Sequence, residues 1–192
     1  RDNWERTFNI CWYGVYYSAR AFMDLLVAST DAHMVNTSSV NGFWASLGPQ
    51  SAHSAYSAAK FAVKGFTEAL ITDFRNNAPH VKVSVVMPGH IGTSIALNAN
   101  KILTEQYDSD ESLSNEDLAE TRKRWSASGL LGDDVTDDQL RAAIAMMGTA
   151  FRDNAPTTAA QAATIILNGV KAERWRILVG DDAQVLDDLV RS

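Results

Sequence analysis

A single cysteine, Cys11, leaves this 192-residue chain without an internal disulfide. Such sparing use of cysteine fits a reducing compartment. No apolar run approaches the length of a membrane span, and no secretory leader opens the chain. Cytoplasmic placement is the default expectation. No basic cluster offsets a net charge of -6, so neither nucleic acid nor an anionic membrane is an expected partner. The four histidines, His33, His53, His80 and His90, show no metal-ligand spacing, and no metal is expected. His33 and His80 read as strand-edge residues; His53 and His90 are candidates for a pocket wall. Ser46 lies outside any Gly-x-Ser-x-Gly, which leaves a serine-hydrolase elbow unsupported. Internal repeats and low-complexity linkers are also missing.

What remains is an ordinary globular composition, 46% apolar and 21% charged, at a length that allows a real core. Phe8, Cys11, Trp12, Val15, Ala19, Phe22 and Leu26 recur at spacings of three and four, which predicts one long helix over 4–28. Asp2 with Glu5 is a capping-box pattern at its start. A short strand is expected over 33–38, a glycine- and proline-bearing loop over 39–54, and a second long helix over 55–76. The β-branched run 81–86 predicts a strand stopped by Pro88-Gly89. Ser114 with Asp117, Thr136 with Gln139, and Thr158 with Gln161 mark further helix starts, the last of these helices closing near Gly169. Residues 176–179 read as a final strand. Alternation of helix and strand predicts a parallel sheet with helices on both faces.

Tyr56 and Lys60 stand four residues apart on the second long helix, so both side chains leave one face. A phenol beside an ammonium can serve as an acid–base group, because a close positive charge favours the phenolate. In a parallel sheet, Ser38 and Ser39 would lie at the carboxyl end of one strand and Pro88-Gly89 at the carboxyl end of another. Tyr56 and Lys60 would start the helix between them. Open α/β sheets bind ligands in the crevice outside those strand ends.

With Asn36-Thr37-Ser38-Ser39, Tyr56-x-x-x-Lys60 and Pro88-Gly89-x-x-x-Thr93 in this order, the chain resembles the short-chain dehydrogenase/reductase family. The resemblance implies a Rossmann-type, three-layer α/β/α fold with a parallel sheet, of which 1–192 is the C-terminal portion, a single partial NAD(P)-binding domain. Residues 95–155 would form a substrate-binding lid region within it. It implies NAD or NADP as cofactor and interconversion of a secondary alcohol and a ketone. Tyr56 would be the acid/base. Lys60 would lower the Tyr56 pKa and hold the nicotinamide ribose, and Ser39 would hydrogen-bond the substrate oxygen. Pro88, Gly89, the Ile91 backbone and Thr93 would hold the nicotinamide. Phe43, Trp44, Leu47 and Ile91 suggest a largely apolar substrate. A homodimer or homotetramer is implied, with Trp12, Tyr13, Tyr16 and Tyr17 as aromatic surface. The alternative is a catalytically silent or truncated relative that acts by binding a partner.

Three departures accompany the resemblance. The interval from Ser39 to Tyr56 is a few residues longer than the family's commonest spacing. Cys11 stands where the family usually carries an asparagine that completes a proton relay to Lys60. A thiol is a poor donor and acceptor, and Cys11 reads first as a small apolar residue of a packed helix. Finally, no Gly-x-x-x-Gly-x-Gly or Gly-x-Gly-x-x-Gly occurs in the chain. The resemblance places that phosphate-cradling loop upstream of Arg1. The acidic run 108–117 reads as a solvated part of the lid.

Overall fold

The computed structural model describes residues 2–46, 53–98, 115–127, 129–132 and 134–192. They form two units, Arg1–Ile91 with Pro156–Ser192, and Gly92–Ala155. In the larger unit the order is α1 (Asp2–Phe8), a π-helical segment (Asn9–Tyr13), α2 (Gly14–Ala28), β1 (Ala32–Thr37), α3 (Ser54–Asn77) and β2 (Val81–Pro88). A two-residue strand β3 (Ile91–Gly92) leads out of it. The smaller unit contains α4 (Asn115–Ala127) and α5 (Asp137–Asp153). The chain then returns through β4 (Thr157–Thr158), α6 (Ala159–Lys171), β5 (Arg176–Val179) and α7 (Asp181–Arg191).

The β-branched run 81–86 becomes the middle of a three-stranded parallel sheet, ordered β1-β2-β5. Register runs from Ala32 opposite Val81 to Thr37 opposite Val86, and from Val85 opposite Arg176 to Pro88 opposite Val179. Side chains alternate between sheet faces along a strand. Val81 and Val83 therefore share one face, where they pack with Ala19, Leu70 and Phe74 of α2 and α3. Val86 projects from the other face and packs with Ala162, Ile177 and Val179. Two cores on opposite faces of one sheet make the expected three layers. Along α3, Ala59, Val63, Thr67, Leu70 and Phe74 are buried at spacings of three and four, with Ser57 buried ahead of them. Asn36, first residue of the Asn-Thr-Ser-Ser motif, joins the layers, since its amide donates to Thr67 Oγ1 at 3.1 Å.

The expected single helix over 4–28 is interrupted. Gly14 N–H donates to Asn9 O, a step of five residues, and Cys11 sits inside this π turn. The apolar spacing carries no mark of it, because threes and fours continue on both sides. The aromatics of this segment divide. Trp12 and Tyr16 meet Phe66 of α3 edge-on, with centroids 5.4 and 5.9 Å away. Tyr13 and Tyr17 stack on one another and stay exposed.

Both described capping boxes form, Thr136 with Gln139 and Thr158 with Gln161. Ser114 and most of the acidic run lie outside the described residues. Within the smaller unit, Arg122 ties the two helices, donating to Val135 O at 2.5 Å and to Asp137 at 2.6 Å. Helix α6 closes near Gly169 as expected, at Lys171. Gly169 is also a contact point, where a Cβ would come within 2.7 Å of Ile177. The helix closes with Arg174 N–H on Gly169 O and Glu173 N–H on Val170 O, which places Glu173 at φ 51°. That left-handed position favours glycine. Glu173→Gly should raise stability by up to about 1 kcal/mol, read as a higher urea midpoint at unchanged m-value. The surface pair Glu173–Lys82, 3.2 Å apart, offsets little of it.

The last helix, α7, is an addition to the expected elements. Among the described residues no helix is long and apolar enough to cross a membrane.

Candidate active site

Parallel pairing of β1 with β2 brings Ser38-Ser39 and Pro88-Gly89 to one edge of the sheet. Pairing continues past β1, as Ser38 N–H donates to Val86 O at 2.8 Å. Ser38 then turns its hydroxyl onto the Lys60 carbonyl at 2.8 Å, locking the strand end to the first turns of α3. The chain can fold so closely here because residue 42 is glycine. A Cβ there would strike Ser38 Oγ and come within 2.9 Å of the Lys60 carbonyl oxygen. Val40–Gly42 form a 3-10 turn whose cap is Ser39, with Asn41 N–H donating to Ser39 Oγ at 3.2 Å. Asn41 is buried and donates through Nδ2 to Ser57 Oγ at 3.2 Å, which fixes the turn against α3. Gly42 and Asn41 escaped the sequence reading. Their signal was only proximity to Ser39, which ordinary loop residues share.

The scaffold assembles Ser39, Tyr56 and Lys60. The Ser39 hydroxyl lies close enough to the Tyr56 phenol to favour its ionised form. Lys60 Nζ donates to the Thr37 carbonyl at 2.9 Å and lies 5.6 Å from the Tyr56 ring centroid. Burial pushes the Tyr56 phenol above its ordinary value, with the Ser39 hydroxyl pulling the other way. Burial likewise pushes the Lys60 ammonium down. Cys11 is half-buried at the same place. Burial raises its thiol and the Lys60 charge opposes this. Cys11 therefore lies within electrostatic reach of Lys60, as its place at the family's relay position implies.

Pro88 ends β2, and Gly89 N–H donates to Val179 O at 2.9 Å. Ile91 is half-buried against the core formed by Val86, Ile177 and Val179. Thr93 belongs to the smaller unit, where its Oγ1 accepts from Ile95 N–H at 3.4 Å. Among the proposed pocket residues, Phe43 is a loop anchor, with the Arg176 guanidinium 5.4 Å from its ring centroid. Trp44 is exposed and donates to Ser46 O at 2.8 Å. Leu47 lies outside the described residues. His33 bonds Ser84 Oγ at 2.7 Å and His80 bonds Val27 O at 3.1 Å. His53 is exposed at the start of α3. Among the described residues no group of three or more His, Cys, Asp or Glu is placed to hold a metal. An open groove of about 450 Å³, lined by Pro156, Thr157, Gln161, Thr164 and Ile165 among others, contains none of the Ser39–Tyr56–Lys60 set.

Residues 1–103 match the pattern that defines the short chain dehydrogenase family, and this chain belongs to that family. Among its relatives is SadH of Mycobacterium tuberculosis, named as an oxidoreductase, 45% identical over 95 residues. Another is dehydrogenase/reductase SDR family member 11 of Gallus gallus, 34% identical over 93 residues. The matched stretches cover 50% and 46% of this chain but only 33% and 36% of those relatives. A short chain dehydrogenase/reductase of Burkholderia phymatum, solved in complex with NAD, superposes with TM-score 0.60 at 25% identity, covering 98% of this chain and 56% of that one. A short-chain dehydrogenase of Streptomyces avermitilis shares the fold with TM-score 0.58 at 19% identity, over 100% of this chain and 59% of its own.

Proposed function

We propose that the protein is an NAD(P)-dependent oxidoreductase that interconverts a secondary alcohol and a ketone, with Tyr56 as acid/base. The observation that carries this reading is the half-buried Tyr56 phenol, beside Ser39 and with the Lys60 ammonium 5.6 Å from its ring centroid. The residues suit the nicotinamide side of the cofactor. Lys60 has three N–H donors and commits one to Thr37 O, which leaves two for ribose hydroxyls. The turn after β2 offers backbone groups at Pro88, Gly89 and Ile91 for the nicotinamide, with Thr93 as the remaining candidate. No glycine-rich phosphate loop lies within the chain.

When bound, the nicotinamide accepts or supplies the hydride. Ser39 donates a hydrogen bond to the substrate oxygen, where charge develops during transfer. Tyr56 gives that oxygen its proton in reduction and takes it back in oxidation. A phenol is protonated at neutral pH even at its ordinary value, which suits the reductive direction, and burial shifts it further the same way. Lys60 orients the ribose and returns a proton toward Tyr56. Residues 95–155 serve in this reading as the substrate-side lid. Exposed Tyr13, Tyr17, Phe22 and Leu25 support a homo-oligomer.

The test is ketone-dependent loss of NAD(P)H absorbance by the full-length protein. Ser39→Ala should lower kcat/KM by about 10²-fold, the usual loss for one donor at a developing oxyanion. No turnover of any ketone or secondary alcohol with either cofactor would sink the reading.

A further inference from the structure

Helix α7 begins directly after β5, and its second residue reaches back to the active-site edge. Asp182 Oδ2 accepts the His90 backbone N–H at 2.6 Å, a contact between residues 92 positions apart. The adjoining amide, that of Gly89, donates to Val179 O at 2.9 Å. Two successive amides of the turn after β2 are therefore held by the connection from β5 to α7. The carboxylate fits there because its neighbours lack side chains. A Cβ on Gly89 would strike both carboxylate oxygens, and one on Gly180 would strike Oδ1. Gly180 also has φ 103°, which brings Asp182 over the turn.

The arrangement is not one that helix stability demands. An acidic residue in the first turn of a helix is satisfied by solvent and by the helix's own amides. Here Oδ1 is instead buried with no hydrogen-bond partner among the described residues. A buried, unpaired carboxylate oxygen is costly. What the cost secures is the geometry of a distant turn. That turn carries Pro88, Gly89 and Ile91, the residues of the proposed nicotinamide contacts.

We propose that Asp182 is a positioning residue for cofactor binding, its carboxylate holding the Pro88–Ile91 turn in the conformation that receives the nicotinamide. The proposal rests on the oxidoreductase reading. Its cofactor-free readout is amide hydrogen exchange over 88–92 in the full-length protein, paired with cofactor Kd by calorimetry and with steady-state kinetics. Asp182→Ala should speed exchange at the His90 amide and raise the Kd and KM for NAD(P) about tenfold, as loss of one charged hydrogen bond does, with kcat within about twofold. Asp182→Asn keeps an oxygen acceptor and should restore most of both. Gly180→Ala, whose Cβ would strike the Asp182 carboxylate and which lies outside the proposed nicotinamide contacts, should reproduce the defect. It is the variant to read if Asp182→Ala does not fold.

Unchanged exchange in Asp182→Ala overturns the proposal. So does faster exchange with an unchanged cofactor Kd, which would mark Asp182 as structural only. Either result leaves a wild-type protein that reduces ketones with NAD(P)H, so the oxidoreductase reading survives it. A wild-type protein that binds neither NAD nor NADP fails that reading itself, and the cofactor role of Asp182 with it.

Discussion

Tyr56→Phe should lower kcat by roughly 10³-fold, within the range lost when a general acid–base group is removed. The substitution keeps the ring and deletes only the hydroxyl, so the fold should not change. Ser39 retains a partner, since Asn41 N–H donates to its Oγ at 3.2 Å. The helix face that carries residue 56 is set by the buried positions of α3, and Phe occupies the same space. The measurement is NAD(P)H absorbance at saturating ketone, with a thermal melt as control. A melt unchanged within a degree and a rate reduced about a thousandfold are expected together. Retention of more than about a tenth of the activity would remove Tyr56 from the mechanism. The pH dependence should follow from the direction of its shift. Burial raises the phenol pKa, so the acid form persists through neutrality and ketone reduction needs no alkaline activation. Alcohol oxidation needs the phenolate and should rise with pH.

Asp187→Ala should cost about 3 kcal/mol or more of stability, the toll of leaving a buried charge without its partner. Arg176 makes a two-pronged pair with Asp187, and Arg191 Nε adds a third contact at 2.9 Å. The Arg176 and Asp187 side chains are only 11% and 8% exposed. Arg176 Nε already lacks a partner among the described residues, so water does not readily take over. The pair also matters beyond stability. Arg176 lies against the Phe43 ring, one residue beyond the turn that Ser39 caps. Urea unfolding at pH 7 and at lower pH reads the effect. The hydrogen bond from Arg176 holds the Asp187 carboxyl below its usual 3.8. A lowered carboxyl pKa contributes stability that is complete above the unfolded value and is lost as pH falls through the folded one. Wild type should therefore shed its advantage over Asp187→Ala below about pH 4. A difference under about 1 kcal/mol at pH 7, or one indifferent to acid, would contradict this account.

The candidate site was unevenly legible. Tyr56 and Lys60 could be paired from spacing alone, because four residues on a helix share a face whatever surrounds them. The strand over 81–86 and the boxes at Thr136 and Thr158 were readable for the same reason: each is decided by residues within a few positions. The π turn at Asn9–Tyr13 was not, since inserting one residue into a turn leaves the apolar pattern intact. Electrostatics also resisted. A Lys four residues from a Tyr suggested a lowered phenol, whereas burial, which only the fold sets, pushes the phenol up.

Periodicity, turn residues and motif order were enough to establish the family, the alternation of helix and strand, and the strand ends at which the reactive residues gather. These are short-range properties, carried by neighbours that stay neighbours before the chain folds. Folding alone decided that Asp182 holds the His90 amide and that Arg176 rests on Phe43. Each of these joins segments far apart in the chain. They exist only because the parallel sheet brings these segments together, with glycines at 42, 89 and 180 leaving room for close approach.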